Sequence, residues 1–484
     1  MGQNVTRALT IDQPSDIHWG TLNFIWVGKM TNKIRLLAAG LMVCAMCSTS
    51  ALEFTVNTTA DTTDLTLGNG VCADINGDCS LRAAIMEANQ NLTADTIYLP
   101  RNAVYFLSLT DVVTDTQAFG DLDISSDLTI SIENPGIPAA SVTEIPIISA
   151  NGIDRVFEVT DANSVTFFAV SIINGDATAG TNISQLGGGI KVADTVNQFN
   201  LLNSIMWFNR AEQGAGIHSR ASNSLISLSD ISFNTLVQGT SNADGLAIYN
   251  AGGSMQIQFS SLHNNTLDAS VISCSKNTIR HNNTSQEMRL FNTSVLENGI
   301  LADGTMQTCV NGIYSQNGSL TLINATINNN AGAGLGFFDF NGNLETLFVR
   351  NSIIANQGVS DCTTINSGVI NFGDGNGGHN ITSDFSCHLP SGANNMENTD
   401  PLLNAPKSAF GNSLVLLHQE PLPWSPAVDQ GSPLPVNVGN PNACQQLDQR
   451  LVTRPIDGDF DASAVCDIGA VEYNLDLIFL DDFE

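Results

Sequence analysis

At 484 residues the chain outgrows a usual single globular core, whereas a solenoid, which grows in one dimension, holds such a length without splitting into separate cores. Its net charge of -30 comes less from its 47 acidic residues than from having only 17 Lys and Arg, so the surface is uncharged-polar under a negative field. Nucleic acid and anionic membrane surfaces are therefore poor partners.

Residues 30–51 read as an export signal: Met30, basic Lys33 and Arg35, an apolar core Leu36 to Met46, then small residues ending at Ala51. The mature chain is expected to begin at Leu52, with residues 1–29 an over-long start or an extended leader. A lipoprotein reading is weak, because Val43 before Cys44 is bulkier than such a site wants. No other stretch reaches the roughly 18 apolar residues needed to span a bilayer, so no transmembrane span is expected in the mature chain. Removing Cys44 and Cys47 with the signal leaves eight of ten cysteines, an even number in an oxidising compartment. Proximity in sequence suggests Cys72 with Cys79, Cys362 with Cys387 and Cys444 with Cys466, leaving Cys274 and Cys309 about one repeat apart. Buried free thiols are the alternative; the absence of CxxC-type spacing argues against zinc.

Residues 52–107 begin with a short strand and a polar loop, Thr58 to Gly77, that leads into Cys79-Ser80-Leu81-Arg82-Ala83-Ala84-Ile85. Leu81, Ile85 and Ala88 fall on one helical face, Ser80 is a suitable N-cap and Asn89 can close the helix. This segment resembles the CSLREA domain of exported bacterial proteins over about forty residues. The family glutamate is Ala83 here, at the N3 position where it would complete a capping box. The motif holds no nucleophile or acid–base pair, so the resemblance implies a structural lid on the end of a solenoid.

Residues 122–357 repeat an apolar residue followed three positions later by asparagine: Met206/Asn209, Ile231/Asn234, Leu262/Asn265, Val295/Asn298, Ile327/Asn330 and Ile353/Asn356. The intervening segments, such as Ser254 to Leu262, alternate with period two and read as strands. The asparagines are expected at the bends, where a short amide tolerates left-handed backbone angles and can stack coil upon coil into a ladder. Glycine groups recur after them, as in Gly187-Gly188-Gly189-Ile190 and Gly214-Ala215-Gly216-Ile217, where the backbone turns before re-entering the core. Together these patterns resemble the repeats of right-handed parallel β-helix proteins, the pectin-lyase-like solenoid, including outer-membrane adhesins of the autotransporter type. The expected fold is all-β, a right-handed parallel β-helix with a short N-terminal capping helix.

Residues 358–473 are less repetitive. Gly378-His379-Asn380-Ile381, Asp400-Pro401-Leu402-Leu403, Ser425-Pro426-Ala427-Val428-Asp429, Asp448-Gln449-Arg450, Arg454-Pro455-Ile456-Asp457-Gly458 and Cys466-Asp467-Ile468-Gly469-Ala470-Val471-Glu472 occur in order. They resemble the choice-of-anchor Q region of exported β-helix proteins, with Leu451 in place of a glycine; the resemblance implies a surface or secreted protein and names no chemistry. The tail, 474–484, alternates apolar and acidic residues and fits a sorting tag or a frayed terminal strand alike.

The β-helix fold also hosts carbohydrate enzymes, which need a base with calcium-binding carboxylates, or paired Asp and Glu on one face. Arg280, His281 and nearby Arg289 form the one basic cluster of the coil and are the catalytic or sugar-binding candidates, against a solvated loop. The histidines at 218, 263, 281, 379, 388 and 418 lack metal spacing and read as polar surface groups, His379 as part of a turn. Asp74, Asn76 and Asp78, and likewise Asp457, Asp459 and Asp461, place oxygens at alternate positions as structural calcium loops do, or as ordinary Asx-rich turns do. Trp207, Phe208, Phe337, Phe338 and Phe340 could meet a ligand, but core packing or a stacking ladder is the favoured reading for them. The leading expectation is a monomeric, extracellular or outer-surface rod, adhesive or ligand-presenting and non-catalytic, binding glycans or surface proteins. The alternative is a polysaccharide lyase or glycoside hydrolase acting on a face of the coil. An autotransporter passenger is disfavoured, because no run of barrel strands follows.

Overall fold

A computed structural model describes residues 50–474 apart from 92, 111–115, 137–141, 180–183, 238–242, 269–274, 284–285, 340–344, 367–368, 373–377, 412–413 and 437–439. The expected export signal up to residue 49, Cys274, Phe340 and the tail from 475 lie outside the described residues.

Alternating strands with few internal charges wind into coils whose successive turns pair in parallel, giving a right-handed β-helix bounded by three long sheets. Among the described residues sheet I has eleven strands, including Gln198–Leu202, Asn223–Ser227, Ser254–Gln258, Glu287–Phe291, Ser319–Ile323 and Thr346–Arg350. Sheet II has ten, including Ile205–Trp207, Asp230–Ser232, Ser261–His263 and Ser294–Leu296, and sheet III has nine, including Ile217–Ser219, Ile248–Asn250, Lys276–Asn282 and Val310–Gln316. Registers run without slip through most of the coil: Leu201 pairs with Ile226, Ile226 with Ile257, Ile257 with Leu290 and Leu290 with Leu322. Most columns of inward side chains are therefore aliphatic or aromatic, the sheet III column Ser219, Asn250, His281 and Ser315 being a buried polar exception, and one continuous core runs from Phe54 to Leu389.

The asparagine ladder is present and fully buried at Asn209, Asn234, Asn265, Asn298 and Asn330. Each amide nitrogen donates to the amide oxygen of the next rung at 2.8–3.0 Å, and that oxygen also accepts the backbone N–H of the rung before. Two parts of the expectation need correction. The left-handed residue is the one before each rung, Phe208, Phe233, Asn264, Glu297 and Asn329, so the rung asparagines are there for their hydrogen bonds and not for backbone tolerance. The sixth unit is out of phase by one: Ile327 pairs with Ile354, the rung is Gln357, and Asn356 is the exposed left-handed residue. A second ladder fills the bend between sheets I and II. The hydroxyls of Ser204, Ser229 and Ser260 each donate to the carbonyl two residues back and accept an N–H from the preceding coil. The glycine turns behave as their sequence implies: Gly187 holds a φ of 62°, and a Cβ on Gly189 would lie 2.6 Å from the Gly216 carbonyl.

At the N-terminal end a helix spans Leu81–Ala88, and the Ser80 hydroxyl accepts the Ala83 N–H as its cap. It packs on the strands Asp95–Leu99 and Leu122–Ile124. It is buried all round, not on one face only, because the polar loop before it folds over the outer side. Glu87 there accepts the N–H groups of Gly68 and Gly70, and Arg82 pairs with Asp61 at 2.7 Å. No helix among the described residues is long and apolar enough to cross a membrane.

The C-terminal region lies back along sheet II. The hairpin Lys407–Gly411 and Leu414–His418 contacts the sheet II strands at 230–232, 261–263 and 294–296. Left-handed corner asparagines serve as its anchor points: Asn324 donates to the Gly469 carbonyl and accepts the Gln445 N–H, and Asn351 accepts the Ser432 N–H. Inside this region Arg454 bonds Glu472, and Arg450 bonds Asp448 at 2.8 Å and Glu420; all are buried except Arg450, which is partly so. Such buried ions are tolerable only because nearly every lone pair and proton is matched. Three disulfides join Cys72–Cys79, Cys362–Cys387 and Cys444–Cys466, and Cys309 is also disulfide-bonded.

The corrected phase of the ladder makes a sharp contrast. Asn265→Ala would strand two buried donors of Asn234 and should lower the unfolding free energy by about 3–5 kcal/mol in urea titration. Asn356→Gly, at the exposed left-handed corner, should change it by no more than about 0.5 kcal/mol, and equal effects at the two positions would contradict the assignment.

Candidate functional site

With sheet II covered by the protein's own C-terminal region, a groove of about 920 Å³ runs on sheet I, walled on one side by Pro441 and Gln445. A smaller depression of about 350 Å³ continues it toward Gln198 and Asn223, sharing Gln256, Glu287 and Arg289. The strand period puts every second residue outward, and the parallel register stacks these into columns. One column reads Asn200, Leu225, Gln256, Arg289, Thr321, Phe348; the next reads Leu202, Ser227, Gln258, Phe291, Ile323, Arg350. At about 4.8 Å per coil the six strands extend about 24 Å along the axis.

The groove floor is largely uncharged. Gln256 donates to Gln258 at 2.7 Å, and Gln258 to Ser227 at 3.1 Å. Arg289 lies at the centre, its guanidinium 2.6 Å from the Glu287 carboxylate, which also accepts the Thr321 hydroxyl at 2.6 Å. The hydrogen bond that Arg289 donates to Glu287 raises the pKa of Arg289 above its ordinary value, so its charge is fixed and matched. Arg350 stacks over the Phe348 ring at 4.1 Å with its donors spent on Asn442, Asn371 and the Val349 carbonyl. Among the described residues lining the groove, Glu287 is the one carboxylate. Glu345, which accepts the Ser319 hydroxyl, is buried.

The basic cluster seen in the sequence is divided by the fold. Arg289 is on sheet I, while Arg280 and His281 are on the sheet III strand Lys276–Asn282. Arg280 lies 4.7 Å over the Tyr314 ring, 3.5 Å from Asp244 and bonded to Gln316. His281 points inward and is fully buried, near the Asn250 amide on Nδ1 at 3.2 Å and the Gln286 carbonyl on Nε2 at 3.3 Å. That pairing fits a neutral ring with its proton on Nε2. Nor are the histidines surface groups. His218, His263, His281, His379 and His418 are all buried, and only His388 of the six is exposed. His263 Nε2 answers the Asp230 carboxylate at 2.9 Å, whereas His218 stacks on the Tyr249 ring at 5.4 Å and its Nδ1 has no hydrogen-bond partner among the described residues.

Of the calcium candidates, Asp74 spends one carboxylate oxygen on the N–H groups of Asn76 and Asp78, an Asx-type turn. At the other end the group that could hold a cation is Asp429, Asp457 and Asp459, with oxygens within 4.8 Å of one another. Asp461 is outside it, and Asp429 already accepts N–H groups from Gly458, Asp459 and Val465. Of the aromatics, Phe337 is core, Trp207 donates to Asp230 at 2.7 Å, and Phe208 is 52% exposed and stacked on Phe233. None of them lines the groove. Of the rings that do, Phe291 and Phe348 were legible only as the outward phase of the strands Glu287–Phe291 and Thr346–Arg350, a signal that needs the register to become a site, and Phe259 stands at the bend just past the strand Ser254–Gln258.

No family model and no curated protein matches the chain. Among solved structures, the crystal structure of pectate lyase Pel9A is similar, at 14% identity and a TM-score of 0.40, covering 88% of this chain and 98% of that one. The fold assignment stands on the sheet registers themselves.

Burial pushes His281 down to about 4, against roughly 6.5 when unfolded. Between those values the unfolded chain binds more protons, so the stability held by neutral His281 is full above about pH 6.5 and lost as the pH falls to about 4. His263 works the other way, since the Asp230 carboxylate overcomes burial and raises its pKa, so the comparison must be with a variant. His281→Gln should flatten the fall in unfolding free energy from pH 7 to 4 by on the order of 2–3 kcal/mol in urea titrations; an unaltered slope would show that His281 is charged in the fold.

Proposed function

We propose that the protein is an exported rod that holds an extended glycan in the sheet I groove and does not cleave it. The observation that carries the reading is the groove itself: hydroxyls, side-chain amides and aromatic rings along several coils, with its one carboxylate bound to its central arginine. Glycoside hydrolysis calls for two carboxyl groups about 5–9.5 Å apart across the scissile bond, and the described lining supplies one. Lyase chemistry calls for a free base beside cation-holding carboxylates, while Arg289 is ion-paired. The leader-like segment at 30–51 and the disulfides support an oxidising, extracellular setting. The two end regions that resemble exported-protein modules support display at the cell surface.

The rival reading, a polysaccharide lyase or hydrolase on the same face, has Arg289 beside Glu287 in its favour. Purified protein incubated with calcium and a panel of neutral and anionic polysaccharides should show binding without release of unsaturated or reducing sugars. Product release that disappears in Arg289→Ala or Glu287→Gln would establish the enzyme instead.

A further inference from the structure

We infer that the sheet I groove selects a neutral, hydroxyl-rich glycan over a uronic-acid or other polyanionic one, and that Phe259 is the ring its sugars contact; this rests on the glycan-binding reading above.

Charge gives the first argument. The chain carries -30 overall, and in the groove Arg289 is matched by Glu287, while Arg350 beneath Phe348 is buried with its donors turned to its own protein neighbours. A polyanion entering this field meets one cation among the described lining residues, the half-exposed Arg289 already paired with Glu287, and is repelled at long range by the net negative charge. A neutral chain does not meet that repulsion.

The second argument separates a glycan from a peptide. Peptides commonly bind sheets by adding a strand at an edge, with main-chain hydrogen bonds supplying much of the affinity. On sheet I the strands under the groove are paired on both sides, so the face presents side chains only. A peptide laid there would leave its own backbone groups to chance partners. Sugar hydroxyls, each a donor and an acceptor, match the amides of Gln256, Gln258 and Gln286, which are likewise both. The C–H faces of sugar rings match the aromatic side of the groove.

Phe259 supplies the third. It occupies the bend between sheets I and II with a φ of 49°, in the left-handed region that a bulky residue rarely adopts. Asparagine fills the same bend at 203, 292, 324 and 351, with φ between 45° and 50°. Ala169 and Leu228 stand at the same bend at 53° and 51°, so Phe259 is one of three departures from asparagine there, and it is the one that stands on the groove wall. Strain kept at a site where a relaxed alternative is used elsewhere in the same chain points to a role outside folding.

The test is calorimetric titration of the whole protein with matched oligosaccharides, neutral (gluco-, manno- and xylo-) and uronic (galacturonate and alginate), alongside thermal melts. The wild type should prefer a neutral series by at least about tenfold, and Phe259→Asn should lose roughly three- to tenfold in that affinity with an unchanged or higher melting temperature. Glu287→Gln, by unmasking Arg289, should gain salt-sensitive affinity for the uronic series. Arg280→Ala, on another sheet, should leave binding as it was. A preference for uronic oligosaccharides would overturn the selectivity while leaving a glycan-binding rod intact, whereas no binding to any glycan would overturn that reading as well. Unchanged affinity in Phe259→Asn, or a lowered melting temperature, would remove Phe259 from the site and make it a packing residue.

Discussion

A buried side-chain amide is costly unless each of its donors and acceptors is answered, and the coil depends on answering them in series. Each rung of the asparagine ladder closes hydrogen bonds on the coil before it and the coil after it. An unsatisfied buried polar group costs about 1–3 kcal/mol, so a single slipped coil would break bonds on both sides of itself. The separations along the ladder, 25, 31, 33, 32 and 27 residues, show what this permits. Coils differ in length because the surplus is taken up between sheets II and III, or, in the coil from Asn330 to Gln357, between sheets III and I, while the rungs stay in line. The hydroxyl ladder at the other bend fixes the second corner, and between the two fixed corners the strands have no freedom of register.

Fixed register turns sequence positions into columns, and columns are what a solenoid can use for function. A groove some coils long needs no catalytic loop and no domain interface; it needs outward residues of compatible chemistry on successive turns. The C-terminal region then decides which columns are available. By anchoring on Asn324, Asn351 and the sheet II face it buries one side of the rod and raises a wall beside another. Arg454, Glu472, Asp448 and Arg450, from the motifs that resemble an anchoring module, are bonded to one another inside this region. Their chemistry there is cohesion.

Period two and the recurring asparagine made the coil legible in the sequence, because strand alternation and a buried amide leave marks within ten residues of each other. The phase of the last unit was not legible: Ile353 and Ile354 are both apolar, Asn356 and Gln357 both carry amides, and only pairing with Ile327 decides between them. The serine ladder was hidden for a related reason, since serine is common in turns and at exposed strand positions alike. The basic cluster failed because nine residues of chain separate Arg280 from Arg289, and in that distance a coil passes from one sheet to another. The histidines failed because their burial depends on the neighbouring coil, such as Asp230 beside His263, some thirty residues away. The groove needed both the register and the return of the distant C-terminal region.

One consequence of such one-dimensional order concerns strain. A left-handed backbone costs an ordinary L-residue about 1–2 kcal/mol, less for asparagine. Yet the corners hold Phe208, Leu228, Phe233 and Phe259 in that region. In a small globular core a conflict of this kind spreads to its neighbours. Here the ladders on adjacent coils hold the corner geometry whatever the side chain, so each departure costs only its own local penalty, and a coil can carry an unfavourable residue without disturbing the next. Leu228 is accounted for by packing, since it rests on the cluster of Ile145, Ile205 and Leu416. Phe208 and Phe233 stack at 5.4 Å yet stay 52% and 41% exposed, so packing offsets their strain only in part. Phe259 differs from all three in facing a groove. The fold that makes asparagine the default at a bend also makes each exception separable, which is why a solenoid can acquire a binding surface one residue at a time without losing its framework.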